Sequence, residues 1–285
     1  MNGLSSTLRD ATDALTPVSA TPRLDAELLM AHALGIGRSA MLLRMHDLAV
    51  PAGFAAMLAR RVADEPVAYI TGMQAFWDLN LHVTPDVLIP RADSETVIEV
   101  AMAAFAGRGA PARILDLGTG SGALLLAALS VFSGAEGVGI DASAAALAVA
   151  SGNASRLGLD TRATFEQRDW TLGGWADGLG QFDLILCNPP YIEDDTPLAD
   201  MVARHEPHSA LFAGPDGLRD YRILLKTLEK LLKTTGIAVF EIGFNQSKSV
   251  AKLGTEAGFT SELTHDLSGN PRVLRFSLGI AQPNR

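Results

Sequence analysis

The stretch "ILDLGTGSGALLL" places a carboxylate, Asp116, two residues ahead of a turn made of Gly118, Thr119, Gly120, Ser121 and Gly122. Glycines at a strand-to-helix turn let the backbone approach a ligand and take positive φ, and the helix behind offers unpaired N–H groups, so the turn reads as a cofactor contact. Its spacing also fits the dinucleotide fingerprint, with Asp141 where a ribose-binding acid belongs. Asp116 separates the two readings. A carboxylate there repels an arriving pyrophosphate but suits a ligand whose near end carries an ammonium and a sulfonium, as S-adenosylmethionine does. Asp141 serves the ribose hydroxyls of either cofactor, or else caps the helix that begins "ASAAAL". In "QRDW", Asp169 can accept from an adenine amino group and Trp170 offers a packing face; a surface Asp beside a core Trp is the plainer alternative.

A further cluster closes the apolar run of "FDLILCNPPYIED": Asn188, Pro189, Pro190 and Tyr191. Proline cannot continue a sheet ladder, so the pair taken alone is a stop signal. Glycine turn, ribose acid, adenine acid and NPPY nevertheless end successive strands in that order, which four independent accidents do not explain. The elements that must carry them alternate: strand "ARILDL", helix from Ser121, strand "GVGID", helix "SAAALAVASGNASRLG", strands "ATFEQ" and "FDLILC". Then follow helix "LRDYRILLKTLEKLLKTT", strand "IAVFEIG", helix "QSKSVAKLGTEAG" and closing strands "TSELTHD" and "RVLRFSLG". The pattern predicts an α/β fold, a mostly parallel doubly wound sheet with ligands at the carboxyl ends of its strands.

Ahead of this region, residues 1–65 carry apolar positions at helical spacing, as in "RLDAELLMAHALG" and "FAAMLARRV", with Gly35 ending one helix and Pro51 opening another. They predict a small helical bundle. Residues 66–92 favour extended structure through Tyr69, Ile70, Phe76, Trp77, Leu79, Leu81 and Val83, and predict a hairpin joining the bundle to a domain over 93–285. At 285 residues the chain suits one large or two ordinary domains. A net charge of −9 disfavours duplex nucleic acid as a partner. The single cysteine, Cys187, rules out a disulfide framework, and the six histidines show no metal-ligand spacing, so no metal site is expected. Without an apolar run of about 18 residues or a leader-like start, the expectation is a cytoplasmic protein away from membranes.

The constellation resembles the class I S-adenosylmethionine-dependent methyltransferases with a Rossmann-like domain, and NPPY looks like the subset that methylates planar nitrogens. An amide nitrogen has a delocalised lone pair. The resemblance implies that the Asn188 side-chain oxygen and the Pro189 carbonyl accept its two N–H bonds, aim its lone pair and stabilise the positive charge that grows there, with no general base. Pro189 and Pro190 stiffen the loop, and Tyr191 packs on the amide. "EPVAYITGMQAFWDLNLHV", "VLIPRADSETVIE", "EPHSALFAGPDGLRDYRIL" and "FEIGFNQ" narrow the likeness to the HemK/PrmC family of peptide chain release factor glutamine methyltransferases, from about Asp25 to Leu278.

That resemblance implies methylation of the glutamine in the Gly-Gly-Gln tip of class I release factors, with S-adenosyl-L-homocysteine as product. Gly118 to Gly122, Asp141, Trp170 and Asn188 then correspond to cofactor-binding positions, and Asn188 to Tyr191 to the glutamine loop. Phe76 and Pro90 are weaker candidates for the pocket wall, and Arg91 is expected either to hold Asp93 and Glu95 internally, the favoured reading, or to face the partner. The family commonly has proline where this chain has Ala92, which removes a φ restraint while keeping Arg91, Asp93 and Glu95. Competing readings are glutamine methylation of a ribosomal protein, exocyclic-amine methylation of a base, and a non-catalytic adapter. The intact NPPY and cofactor set count against the last. No haem-attachment spacing appears.

Overall fold

In the computed structural model, which describes residues 3–279, the chain divides into two compact units, Met1–Met73 with Leu198–His205, and Gln74–Pro197 with Glu206–Arg285. The first unit contains helices α1 (Leu4–Leu15), α2 (Pro22–Leu34), α3 (Arg38–Leu43), α4 (Phe54–Val62) and α5 (Val67–Thr71). Leu4, Leu8, Ala11 and Leu15 recur at helical spacing and bury one stripe of α1 against Leu29 and Met30 of α2 and Phe54 of α4. Pro22 starts α2 without losing a needed donor, and Gly35, in the left-handed region at φ 67°, ends it. The buried guanidinium of Arg61 ties α4 to α2, its Nε 2.8 Å from Asp25 Oδ2, while Nη2 donates to the Val18 carbonyl at 3.0 Å.

The segment expected to be extended from residue 66 opens instead as α5, with Tyr69 and Ile70 buried on it. Their β propensity yields to packing, because Ile70 belongs to the helical core. The hairpin is confined to β1 (Met73–Phe76) and β2 (Leu79–His82), and its two-residue turn holds Trp77 at φ 57°.

In the second unit the strands β3 (Arg113–Leu117), β4 (Glu136–Asp141), β5 (Ala163–Gln167), β6 (Phe182–Cys187), β7 (Leu232–Glu241), β8 (Phe259–His265) and β9 (Pro271–Leu278) form one seven-stranded sheet in the order β5-β4-β3-β6-β7-β9-β8. The pairs through β7 are parallel and only β9 and β8 add antiparallel ladders. The connecting helices are α6 (Glu95–Phe105), α7 (Ala123–Val131), α8 (Ala144–Arg156), α10 (Arg219–Leu231) and α11 (Ser247–Glu256), whereas α9 (Asp200–His205) belongs to the first unit. Leu184, Leu186 and Val239 face one apolar layer with α6 and α7; Ile185, Cys187, Ala238 and Phe240 face the other with α10. Burial on both faces explains why the central strands read as continuous apolar runs. Residues 232–235, expected at the end of a helix, already lie in β7, since Leu232 pairs with Phe182. No helix among the described residues is long and apolar enough to cross a membrane.

Candidate active site

Strand order reverses at β3. From it the chain moves to β4 and β5 on one side and to β6 and β7 on the other, so the carboxyl ends of β3 and β6 lie together, with Leu117 opposite Cys187. This is the switch point at which a doubly wound sheet leaves a crevice. A cavity there is lined by Asp116, Gly118, Thr119, Gly120, Ser121, Asp141, Trp170, Asn188 and Pro190, together with Phe76, Pro90 and Arg91. Nine of the residues singled out for the site therefore line one cavity, and the weaker candidates Phe76 and Pro90 join them. Gly122, Asp169, Pro189 and Tyr191 are not part of the lining.

The glycine turn is fixed from several directions. Gly118 N and Thr119 N both donate to the Ile140 carbonyl at 2.9 Å, and Gly120 N donates to Asp141 Oδ2 at 2.9 Å. Gly118, at φ 75°, has no room for a side chain, because a Cβ would stand 3.0 Å from the Trp170 ring. Behind the turn, the buried Asn153 donates to the Ser121 and His82 carbonyls, each at 2.9 Å, and accepts from His82 N at 2.7 Å. Asn153 escaped sequence reasoning, and its only signal is a polar residue on the buried face of α8.

Asp116 is 1% exposed. Its Oδ2 accepts from the Thr119 hydroxyl at 2.7 Å, and its Oδ1 has no hydrogen-bond partner among the described residues. Burial pushes its pKa up to about 7, against the pull of the Thr119 hydroxyl. A buried, half-satisfied carboxylate on a cavity wall is costly unless a ligand supplies positive charge or a donor. The site therefore fits a cationic methyl donor. Asp141 does not cap α8: Ser143 does, accepting from Ala146 N at 3.1 Å, while Asp141 Oδ1 accepts from Ser143 N at 2.9 Å. Burial also raises the pKa of Asp141.

Trp170 is anchored by its indole N–H, which donates to the buried Asp220 at 2.7 Å. Its neighbour Asp169 turns elsewhere, its Oδ1 accepting from Thr171 N at 2.8 Å and the Thr171 hydroxyl at 2.6 Å. Those bonds hold its pKa below the usual carboxylate range.

At the end of β6, Asn188 Nδ2 donates to Ser94 Oγ at 3.3 Å. The Pro189 carbonyl accepts no hydrogen bond among the described residues, as the proline-bearing loop leaves the ladder. Tyr191 sits behind the loop rather than in the cavity. Its N–H donates to the Leu211 carbonyl at 3.2 Å, its carbonyl accepts from Gln246 Nε2 at 2.9 Å, and burial raises its pKa to about 12. Gln246 also donates to the Gly217 carbonyl at 3.2 Å. Gly217 has φ +65°, and a Cβ there would stand 2.4 Å from the Tyr191 carbonyl oxygen, so only glycine lets this clasp close.

Arg91 does not hold Asp93 and Glu95. It pairs with the buried Glu206, which also accepts from Ile89 N at 3.3 Å; Asp93 pairs with Arg272 at 3.1 Å, and Glu95 accepts from Trp77 N at 2.8 Å. Glu206 thus ties Ile89 and Arg91 to the segment beginning at Pro207, and both stretches line the cavity. Sequence distance hides this pairing.

Two family profiles match the chain, the PrmC N-terminal domain over residues 6–72 and a methyltransferase domain over residues 110–262. The fold is shared with a methyltransferase of known structure from Pyrococcus furiosus, at a TM-score of 0.51 and 18% identity over 79% of this chain and 100% of that one. Among curated relatives, the release factor glutamine methyltransferase of Rhodospirillum rubrum is 44% identical over 89% of this chain and 78% of its own. That of Caulobacter vibrioides is 40% identical over 92% and 90%. With an N-terminal helical domain and a class I methyltransferase domain aligned over most of their lengths, the chain belongs to the release factor glutamine methyltransferase family.

Proposed function

We propose that the protein transfers a methyl group from S-adenosylmethionine to the side-chain amide nitrogen of the glutamine in the Gly-Gly-Gln motif of class I release factors; its curated relatives are named release factor glutamine methyltransferases. The observation that carries this reading is a cavity with two unlike ends: a buried carboxylate with one oxygen unpartnered at Asp116, and the neutral side-chain amide of Asn188. When bound, the donor supplies a methyl group activated by its sulfonium. Asp116 and the backbone of Gly118 to Gly122 hold its amino-acid end, Asp141 accepts from the ribose hydroxyls, and Trp170 packs on the adenine. Asn188 Oδ1 and the Pro189 carbonyl accept the two amide N–H bonds of the glutamine, so that its lone pair points at the methyl carbon. Both oxygens then stabilise the charge that develops on nitrogen. Pro190 stiffens the loop and the Tyr191 backbone anchors it.

For residues 1–65, with their own core and none of the chemical groups above, the proposed role is recognition of the body of the protein substrate. Truncation should raise the KM for intact release factor far more than for a short Gly-Gly-Gln peptide, whereas equal effects would leave the bundle a stabilising role only. The test of the whole reading is incubation with labelled S-adenosylmethionine and a release factor, followed by mapping of the modified residue. Label on that glutamine is expected. Label on a ribosomal protein or a nucleic acid base, with the release factor untouched, would overturn it.

A further inference from the structure

A second buried carboxylate with an unpartnered oxygen lies outside the cavity lining and has no part in the roles above. Glu241, at the end of β7, is 2% exposed, and its Oε2 has no hydrogen-bond partner among the described residues. Groups from several elements act on its ionisation, the hydroxyls of Ser94 at the start of α6 and of Tyr191 by hydrogen bonding, and Arg272 of β9 and Asp93 by charge. From α10, the Tyr221 hydroxyl donates to the Glu241 backbone carbonyl at 2.8 Å, and the thiol of Cys187 on β6 feels its charge. Arg272 does not neutralise Glu241 by direct pairing, since its N–H groups go to Asp93 at 3.1 Å and to Asp266 at 3.0 Å.

The consequence concerns Asn188. Its side-chain amide has one face that donates and one that accepts, and only the accepting face can take a substrate N–H. Ser94 Oγ accepts from Asn188 Nδ2. A hydroxyl has a single proton, and the ionised carboxylate beside it is the strongest available acceptor, so that proton goes to Glu241 and a Ser94 lone pair is left for Asn188. We infer that Ser94 and Glu241 form a positioning relay that fixes the polarity of the Asn188 amide, Nδ2 toward Ser94 and Oδ1 toward the methyl-accepting nitrogen. Glu241 touches no reacting atom in this scheme; it sets the direction of the hydrogen bonds.

The relay is reversible by protonation. Burial pushes the Glu241 pKa up to about 7, against the hydrogen bonding of Ser94 and the charge of Arg272. A protonated Glu241 donates to Ser94, the Ser94 proton turns to Asn188, and the amide is favoured in the opposite sense, with its NH2 facing the substrate N–H. The transfer rate should therefore rise with pH as Glu241 ionises. With the methyl donor saturating, its positive charge holds Asp116 ionised, and the part of the acid limb that Glu241→Gln removes belongs to Glu241.

The inference rests on Asn188 being the acceptor for the substrate amide, and two measurements keep the failures apart. In protein labelled at asparagine with nitrogen-15, with no substrate present, the Asn188 side-chain resonances should move with pH as Glu241 titrates. Ser94→Ala and the isosteric Glu241→Gln should lose that response, and Ser94→Thr should retain it. Resonances indifferent to pH and to all three substitutions would overturn the relay. In single-turnover assays on a release factor at saturating donor, Ser94→Ala should slow transfer about tenfold, the scale of one lost hydrogen bond, and flatten the acid limb. Ser94→Thr should recover most of the rate, and Glu241→Gln should remove the limb. A wild-type pH profile in both Ser94→Ala and Glu241→Gln would also overturn the relay. Failure of the wild-type protein to methylate the release factor, with the resonances behaving as described, would instead sink the proposed function.

Discussion

The two ends of the cavity are built on opposite electrostatic plans. At the glycine turn, a nearly inaccessible carboxylate is left half satisfied, and backbone N–H groups of Gly118, Thr119 and Gly120 are spent on bracing the turn itself. At the NPPY loop the exposed chemistry is uncharged, and effort goes into stiffness: two prolines, the Gln246 clasp on the Tyr191 carbonyl, and the bond from Asn188 to Ser94. The first end matches a ligand that arrives with positive charge. The second matches an atom that becomes positive only during reaction, where a full negative charge would bind the ground state as well as the transition state. Function here places strain in the free protein at one end and rigidity at the other.

The sharpest way to break this contrast is to remove the charge at Asp116. The folded protein holds its carboxyl up to about 7, against an ordinary value of 3.8, so between those pH values the native state keeps a proton that the unfolded chain has released. Stability of the free protein should fall as pH rises through this window, with the full cost present above pH 7. Asp116→Asn should therefore stabilise the free protein above pH 7 by up to about 4 kcal/mol, some three pKa units, while losing most of its affinity for the methyl donor. Denaturation from pH 4.5 to 8, paired with calorimetry, checks both. An unchanged pH slope in the variant would show that Asp116 is not the strained group.

At the opposite end, Asn188→Ala removes one preorganised acceptor, and transfer should slow by roughly 10²–10³. Saturating donor should not restore the rate. Asn188→Asp keeps an acceptor oxygen and should retain more activity than the alanine variant. Full activity of Asn188→Ala with fold and donor binding intact would return NPPY to a strand that merely stops.

The parts legible in sequence and the parts that were not differ for a physical reason. Asp116, the glycine turn, Asp141 and Asn188 each end a strand, and apolar runs of period and length typical of a covered parallel sheet announce where strands end. Their convergence follows from topology alone. What braces them comes from far along the chain: Asn153 beneath Ser121, Glu206 on Arg91, Gln246 on Tyr191, Ser94 behind Asn188. A polar residue within an amphipathic pattern reads as a surface residue until the fold buries it. Local propensity also misled at Tyr69 and Ile70, which favour strands yet lie buried on a helix, Ile70 in the core of the bundle, and at residues 232–235, drawn into β7 by the ladder to β6.

Asp141 tests the donor end more gently. Its two oxygens already accept from Gly120 N and Ser143 N, so its contribution to ribose binding uses the remaining lone pairs of a braced carboxyl group. Asp141→Ala should weaken donor binding by about 1.5–3 kcal/mol, the scale of hydrogen bonds to a charged group, and loosen the glycine turn. Calorimetry with S-adenosylmethionine and its demethylated product should give parallel losses, because both carry the same ribose. A loss confined to one of them would separate Asp141 from the ribose.

The smallest effect is expected at Asp169, which sequence order pairs with Trp170 as the adenine end of the cofactor site. The two side chains part in the structure. Trp170 lines the cavity, held there by Asp220, whereas Asp169 is outside the lining and folds back to accept twice from Thr171. The low pKa of its carboxyl follows from those local bonds alone. Asp169→Ala should therefore change donor affinity by less than about 0.5 kcal/mol, as for a surface substitution away from a site. Trp170→Ala should cost more, about 1–3 kcal/mol if its ring supports the adenine by stacking. The comparison needs only donor titrations of the two variants at one pH and salt concentration. A tenfold loss in Asp169→Ala would mean that the turn to Thr171 opens when adenine arrives and that the carboxylate accepts from its amino group after all. Near-equal affinity of the two variants and the wild-type protein would instead leave the adenine gripped by backbone alone.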